Sequence, residues 1–386
     1  MSTEDLAVIL HLLQAPVGVP ATITTLTEWK PTWQAVVSRW ERPVDRALAG
    51  GLAADRPAWA FAAGYQAAIQ CLAPSCPTER IAAICITEKD GPHPARIKSR
   101  LTPSADRTGW RLDGEKAFVS GAGEAEILLV AVSTGTSPDG RNRLRMVSVP
   151  ADSKGVTVMS LPTLAIVPEI PHARVRFQGV ALDDAALLPG DGYTEAVKPF
   201  RTLEDLHVTG AFLAWIFGVG RRAGWPAEAL EALLALIVTV RSLSLASPHE
   251  PQNHLALGGL LVAGPHVMPD VTGWPLTAAG GIRPLFAENQ DVRLAALIIL
   301  GSIPTAFLGL LFHRVADRIF GSVGIDEVID ICRSGGHVAE ALDEANRRLS
   351  VASAAIAGVG DPATRAVLTR MGDFLIDQVQ FARSGA

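Results

Sequence analysis

The spacing of apolar residues along the chain changes twice, and each change marks a change in the predicted secondary structure. In residues 1–80, apolar side chains such as Leu6, Ile9 and Leu13 recur at the spacing of an amphipathic helix. This pattern predicts helices over 5–13, 33–40, 44–52 and 58–72. Pro74 and Pro77 close the helical region.

From Ile81 onwards the apolar residues alternate with period two, and Gly, Pro and Asp become more frequent, which is typical of strands joined by tight turns. Strands are predicted over 81–87, 110–119, 127–133, 144–150, 155–161 and 173–180. Between apolar alternations, Asp113–Gly114 predicts a type I′ turn, because these residue types tolerate positive φ.

After Tyr193 the pattern returns to helical spacing. Long helices are predicted over 203–222 and 228–245, and helical segments resume after a Pro-, Gly- and His-rich passage. The sequence therefore predicts an α+β protein of three domains. These are an N-terminal helical domain (1–80), a middle β-barrel or sandwich domain (81–195) and a C-terminal helical bundle (196–386) with an irregular insert at 247–287.

One uncharged run, 294–312, approaches the length that spans a bilayer. It contains Gly301 and Pro304 and has no flanking aromatic belt, so we interpret it as a buried bundle helix that kinks at the proline. The first residues lack the basic region of a secretory signal. We therefore expect a cytoplasmic protein without a membrane partner.

Charge and cysteine content remove several other classes of protein. A net charge of −5 without a basic run gives no attraction for nucleic acid. The four cysteines have no CxxC or Cys/His spacing, so neither a disulfide framework nor a metal site is predicted. Only 19% of residues are charged, which predicts that a partner subunit covers some apolar surface.

Four segments of the predicted β domain carry a family resemblance. They are ITEKDGP (86–92), LDGEKAFVSGAGEAEILLVAVSTG (112–135), VSVPADSKGVTV (147–158) and ARVRFQGVALDDAALLPGDG (173–192). In order and spacing they resemble the middle domain of acyl-CoA dehydrogenases, and GEKAFVSGAGEAE is especially similar to the branched-chain members. The resemblance implies an acyl-CoA dehydrogenase-like fold that binds FAD and forms a homodimer or homotetramer. In that family a base removes the α proton of an acyl-CoA thioester while flavin N5 accepts the β hydride.

The same resemblance implies which residues would contact the flavin. Ile86 and Thr87 occupy the family positions on the strand at one edge of the isoalloxazine. Phe118, Val119 and Ser120 match the aromatic–aliphatic–hydroxyl triplet that covers the other edge. An aromatic ring would shield the flavin, while amides and a hydroxyl would hydrogen-bond its polar edge.

Two further residues are candidates for contact with substrate. Glu204 aligns with the catalytic base of a minority of the family, and burial would raise its pKa towards a useful range. The alternative is that Glu204 and Asp205 are structural charges in a first helical turn, where the helix dipole favours them. His93 lies in a Pro-containing loop where the family has a Gly-rich one, so it could donate a hydrogen bond to substrate or belong to a surface turn.

Other family signals are absent, which keeps three functions open. No Tyr-Glu-Gly-Thr-like loop, Arg-x-Phe-Gly or Gln-x-x-Gly-Gly segment occurs in the C-terminal region. The leading hypothesis is an FAD-dependent acyl-CoA dehydrogenase-like oxidoreductase, with electron-transfer flavoprotein as a candidate acceptor. The others are a non-catalytic subunit that forms a hetero-oligomer with an active homologue, and a flavin-dependent monooxygenase of the same fold.

Overall fold

The computed structural model describes residues 3–16, 23–89, 91, 93–164 and 167–250, together with 253, 256, 257 and 260. Four helices precede the sheet: α1 (Thr3–Gln14), α2 (Leu26–Arg39), α3 (Pro43–Ala53) and α4 (Pro57–Leu72). Each overlaps a predicted helix. Helices α3 and α4 begin at Pro43 and Pro57, where a proline costs no helical hydrogen bond.

Helix α2 begins earlier than the predicted start at residue 33, because its N-terminus is capped. The Thr25 hydroxyl accepts the Glu28 N–H at 3.1 Å, and Glu28 Oε2 accepts the Thr24 N–H at 2.8 Å. These two bonds satisfy amides that have no partner within the helix. Pro31 lies inside the helix, so the proline does not mark the boundary.

The seven strands of the described region form one sheet. They are β1 (Ala82–Cys85), β2 (Arg100–Pro103), β3 (Trp110–Ser120), β4 (Ile127–Thr136), β5 (Asn142–Pro150), β6 (Val156–Ser160) and β7 (His172–Leu182). The strand order is β1-β4-β2-β3-β7-β6, and β5 pairs with β4. Inward side chains such as Leu112, Leu128 and Phe177 form the buried core. The predicted fold class is thus confirmed for the N-terminal helices and the middle β domain.

The predicted type I′ turn at Asp113–Gly114 is wrong, since both residues lie within the continuous strand β3. A register shift against β7 falls between Leu112 and Gly114, where Gly114 has φ +148°. A Cβ on Gly114 would lie 2.5 Å from the Ser99 Cβ, so only glycine fits. Asp113 Oδ1 accepts the Gly179 N–H at 2.7 Å, which ties the bulge to β7.

Two helices follow the sheet, α5 (Lys198–Ala223) and α6 (Ala227–Ser244). A π-helical turn, Gly192–Val197, leads into α5, and Gly224 ends it with φ +65°. The rest of the predicted bundle, most of the insert at 247–287 and the run 294–312 lie outside the described residues. Within the residues that the structure describes, no helix has the length and apolar character needed to cross a bilayer.

Candidate functional site

The segment after β1 and the end of β3 lie side by side. The Ala117 N–H donates to the Thr87 carbonyl oxygen at 2.8 Å, and Lys116 Nζ donates to the Ile86 carbonyl oxygen at 3.3 Å. The structure therefore brings Ile86 and Thr87 next to Phe118, and the contact of these residues with a flavin stays a prediction. Ile86, Thr87 and Ser120 are all half-buried.

Phe118 has a strained backbone and an exposed side chain. Its φ is +52°, a left-handed value that costs about 1–3 kcal/mol in a non-glycine residue, and the residue is 70% exposed. The register shift between Lys116 and Val119 produces this geometry. It leaves the Val119 side chain buried in the core, so only the backbone of Val119 can face a ligand. An apolar ring held outward at an energetic cost indicates a surface that binds something.

A buried ion pair lies beside the segments that carry Thr87 and Phe118. The Lys116 side chain is fully buried, and its Nζ lies 2.8 Å from Glu88 Oε1. Glu88 also accepts the backbone N–H groups of Lys98 and Ser99 and the Ser99 hydroxyl, at 2.8–2.9 Å. Burial alone would raise the pKa of Glu88, but the Lys116 charge and these hydrogen bonds hold it below its ordinary value.

Sequence reasoning missed this pair, although one signal was present. Lys116 occupies the same alternation of β3 as the buried Leu112, so a charged residue stands at an inward position. Such a charge requires a partner, and Glu88 immediately follows Thr87 in the chain.

The turn that follows Ser120 is fixed to helix α2 by two carboxylates. Glu124 Oε2 accepts the Thr27 N–H at 2.8 Å and the Thr27 hydroxyl at 2.7 Å. Glu126 Oε2 lies 2.7 Å from Lys30 Nζ. These contacts hold the end of β3 in place relative to the N-terminal helices.

His93 lies in an exposed turn. Its Nδ1 accepts the Ala95 N–H at 3.2 Å and thereby caps a short 3₁₀ turn, Pro94–Arg96. Asn142 Nδ2 donates to the carbonyl oxygens of Pro94 and Ile97, at 3.0 and 2.9 Å, so the turn is fixed to β5. A contact between His93 and substrate stays a prediction.

Glu204 is half-buried on α5 and has an elevated pKa. Desolvation raises the pKa to about 7, opposed by Arg201 and assisted by Asp205. Because α5 begins at Lys198, the first turn of the helix contains no acidic residue. The interpretation of Glu204 and Asp205 as first-turn charges favoured by the helix dipole is therefore wrong, since that effect fades beyond the first turn.

A close approach of α4 to α5 buries this part of α5. A Cβ added to Gly64 would lie 2.5 Å from the Val208 Cα, one helical turn beyond Glu204. On the same face, Tyr65 packs edge-on against Phe200, with ring centroids 6.2 Å apart. The two helices thus restrict the access of solvent to Glu204, and this desolvation raises its pKa.

The pKa of Glu204 predicts a pH-dependent effect of Glu204→Gln on stability. The folded-state pKa lies above the unfolded value of 4.5, so the glutamate reduces stability as the pH rises from about 4.5 to about 7. Relative to the parent, the glutamine variant should gain about 3 kcal/mol between pH 4 and pH 8 in urea unfolding. The control is Glu228→Gln, which changes an exposed first-turn acid of α6. A Glu204→Gln difference that does not change with pH would contradict the burial argument.

A family model for the acyl-CoA dehydrogenase middle domain matches residues 83–180, which run from β1 into β7. The probable acyl-CoA dehydrogenase FadE10 of Mycobacterium tuberculosis is 35% identical over 86 residues, which are 22% of this chain and 13% of that protein. Undecaprenyl-diphosphatase of Desulfatibacillum aliphaticivorans is 50% identical over 38 residues, which are 10% of this chain and 14% of that protein. The chain thus spans only a small part of the curated relatives that it matches.

A solved FAD-dependent dehydrogenase shares the fold. Its TM-score is 0.57 at 13% identity, over 82% of this chain and 98% of that one. The family model covers the β domain that carries Thr87, Phe118 and Ser120. By the family model, residues 83–180 are therefore similar to the middle domain of acyl-CoA dehydrogenases, and the likeness to the solved dehydrogenase is one of fold.

Proposed function

We propose that the chain is an FAD-dependent oxidoreductase that catalyses α,β-dehydrogenation of an acyl-CoA thioester. The observation that carries the proposal is the exposed ring of Phe118, which extends from a strained backbone beside Thr87 and Ser120. When bound, FAD would supply the redox chemistry by accepting a hydride, which no protein side chain can do.

The residues present fit the ring of a flavin. Phe118 offers an aromatic face, and the Thr87 and Ser120 hydroxyls have no hydrogen-bond partner among the residues that the structure describes. Ile86 would contribute its half-buried side chain, while Val119 would contribute backbone only. One apolar surface flanked by polar groups suits a planar ligand with an apolar face and a polar edge.

Glu204 is the base of the proposed reaction. A carboxyl group with a pKa near 7 is about half ionised at neutral pH, and its ionised form is a stronger base than an ordinary carboxylate. It would accept the α proton as the Cα–Cβ double bond of the thioester forms. The thioester would be positioned by the surrounding chain so that the proton lies within reach of the carboxylate.

The loop that follows Glu88 favours a second candidate, a non-catalytic subunit that pairs with an active homologue. Its amides are used within the loop: the Gly91 N–H donates to the Glu88 carbonyl oxygen at 2.9 Å and the Arg96 N–H to the His93 carbonyl oxygen at 2.8 Å. Pro94 has no N–H. This leaves fewer donors for the phosphates of a cofactor or substrate than a Gly-rich loop would offer.

The test of FAD binding is a titration of the purified protein, followed through the visible absorbance of oxidised flavin. We expect Phe118→Ala to weaken FAD binding about tenfold, because an aromatic contact contributes about 1–1.5 kcal/mol. Val158→Ala, which removes an exposed apolar side chain on β6, is the matched control and should leave the affinity unchanged.

The outcomes separate the candidate functions. An FAD-loaded homo-oligomer that reduces an electron acceptor with acyl-CoA supports the dehydrogenase. A protein that binds no FAD and co-purifies with a homologue supports the non-catalytic subunit. Oxygen consumption that depends on added reduced FMN would indicate the monooxygenase instead.

A further inference from the structure

Tyr65 of α4 contacts both β1, the strand that leads to Ile86 and Thr87, and α5, the helix that carries Glu204. Its hydroxyl oxygen accepts the Ile84 N–H at 3.0 Å, two residues before Ile86. Its ring stacks on Phe61, with centroids 5.5 Å apart, and meets the edge of Phe200. Phe200 lies one helical turn before Glu204, so both face α4.

The hydroxyl hydrogen of Tyr65 has no acceptor among the described residues. The oxygen accepts the Ile84 N–H, so its own O–H points elsewhere and donates to no acceptor among the described residues. A tyrosine hydroxyl that is buried to this extent normally donates to a partner. Burial and the charge of Glu204 both raise the pKa of the Tyr65 hydroxyl.

We propose that Tyr65 is a positioning residue for Glu204: its hydroxyl donates a hydrogen bond to the ionised carboxylate through one water molecule, while it accepts the Ile84 amide. This arrangement fixes the carboxylate relative to the segment from Ile84 to Thr87. The catalytic role of Glu204 rests on the proposed function. The hydrogen bond from Tyr65 to Glu204 does not depend on it.

The groups that shift the pKa values of Tyr65 and Glu204 come from two elements, α5 and β1. On α5, Arg201 lowers the pKa of Glu204 and Asp205 raises it. Asp205 Oδ2 itself lies 3.0 Å from Arg201 Nε. Cys85, at the end of β1, raises the pKa of Tyr65. All of these groups are unchanged in a Tyr65→Phe variant, which also retains the ring contacts with Phe61 and Phe200.

The test is the titration of Glu204 in the full-length protein without FAD. The ¹³C resonance of its carboxyl carbon is assigned by its loss in Glu204→Gln and followed from pH 4 to pH 9. Because a hydrogen bond to the ionised form favours that form, Tyr65→Phe should raise the midpoint by about one pH unit. Tyr193→Phe, at the only other tyrosine of the chain, should leave it unchanged.

A second measurement needs no tyrosine variant. If Tyr65 bridges the two groups, the Ile84 amide proton of the parent protein shifts with the same midpoint as Glu204, and this shift disappears in Glu204→Gln. An unchanged Glu204 midpoint in a folded Tyr65→Phe variant, or an Ile84 amide that does not respond, would overturn the proposal. Loss of dehydrogenase activity alone bears only on the proposed function, since neither titration requires FAD or substrate.

Discussion

Replacement of Glu204 by glutamine is expected to lower the rate of acyl-CoA-dependent flavin reduction by a factor of about 10²–10⁴, the range for loss of a positioned general base. Glutamine has nearly the same shape but cannot accept the α proton. Flavin affinity should stay within twofold of the parent, because the residues proposed to contact the ring lie on and beside β1 and β3. The effect should therefore appear in the chemical step alone.

Stopped-flow mixing of FAD-loaded protein with acyl-CoA under anaerobic conditions measures this step directly. Glu228→Gln removes an exposed acid of α6 and should reduce flavin at the parental rate. In the parent, the rate should rise with pH and level off above about 7, where Glu204 is ionised. A glutamine variant that retains the parental rate would exclude Glu204 as the base.

The sequence could predict the helices and most of the strands in the described part of the chain, because these elements depend on local periodicity. Helices α3 and α4 show it through apolar residues at helical spacing, and strands such as β4 through an apolar run of strand length. The exception at Asp113–Gly114 has a tertiary cause. Ser99 fills the space beside Gly114, and Asp113 bonds to Gly179 of β7, so contacts that are distant in sequence turn a local turn signal into a bulge.

The site was predictable only in part, for a related reason. The family resemblance predicted that Thr87, Phe118 and Ser120 contact a flavin, and the structure places the segment of Thr87 beside the end of β3. It could not show that Phe118 would be strained or that Val119 would face the core, because both follow from the register of β3 against β7. The elevated pKa of Glu204 likewise depends on how closely α4 packs against α5, and the sequence of α5 alone does not indicate this distance.

Buried ion pairs were the largest omission. Lys116 and Glu88 are 28 residues apart, and Arg241 and Asp45 are 196 apart, so neither pair shows in local spacing. In each pair, both side chains are at most 8% exposed. Each pair also joins elements that are separate in the chain. Their effect on stability is therefore a direct test of the tertiary structure.

Removal of one partner from the buried pair formed by Asp45 of α3 and Arg241 of α6 is expected to cause a large loss of stability. Arg241 Nε and Nη2 donate to the two carboxylate oxygens at 2.6 and 3.0 Å, in bidentate geometry. Asp45→Ala would leave the guanidinium buried without its counter-charge, so the free energy of unfolding should fall by about 3–5 kcal/mol in urea denaturation. The double variant Asp45→Leu/Arg241→Met, which removes both charges, should recover most of that loss.

The matched comparison is the exposed pair of Asp139 and Arg141, whose Nε–Oδ2 distance is 3.3 Å and whose side chains are 59% and 87% exposed. Water already solvates both charges there, so Arg141→Met should change the free energy of unfolding by less than about 1 kcal/mol. The two distances differ by less than an ångström, and burial is the main difference between the pairs. Equal losses in Asp45→Ala and Arg141→Met would therefore show that α6 does not cover Asp45 in the folded protein.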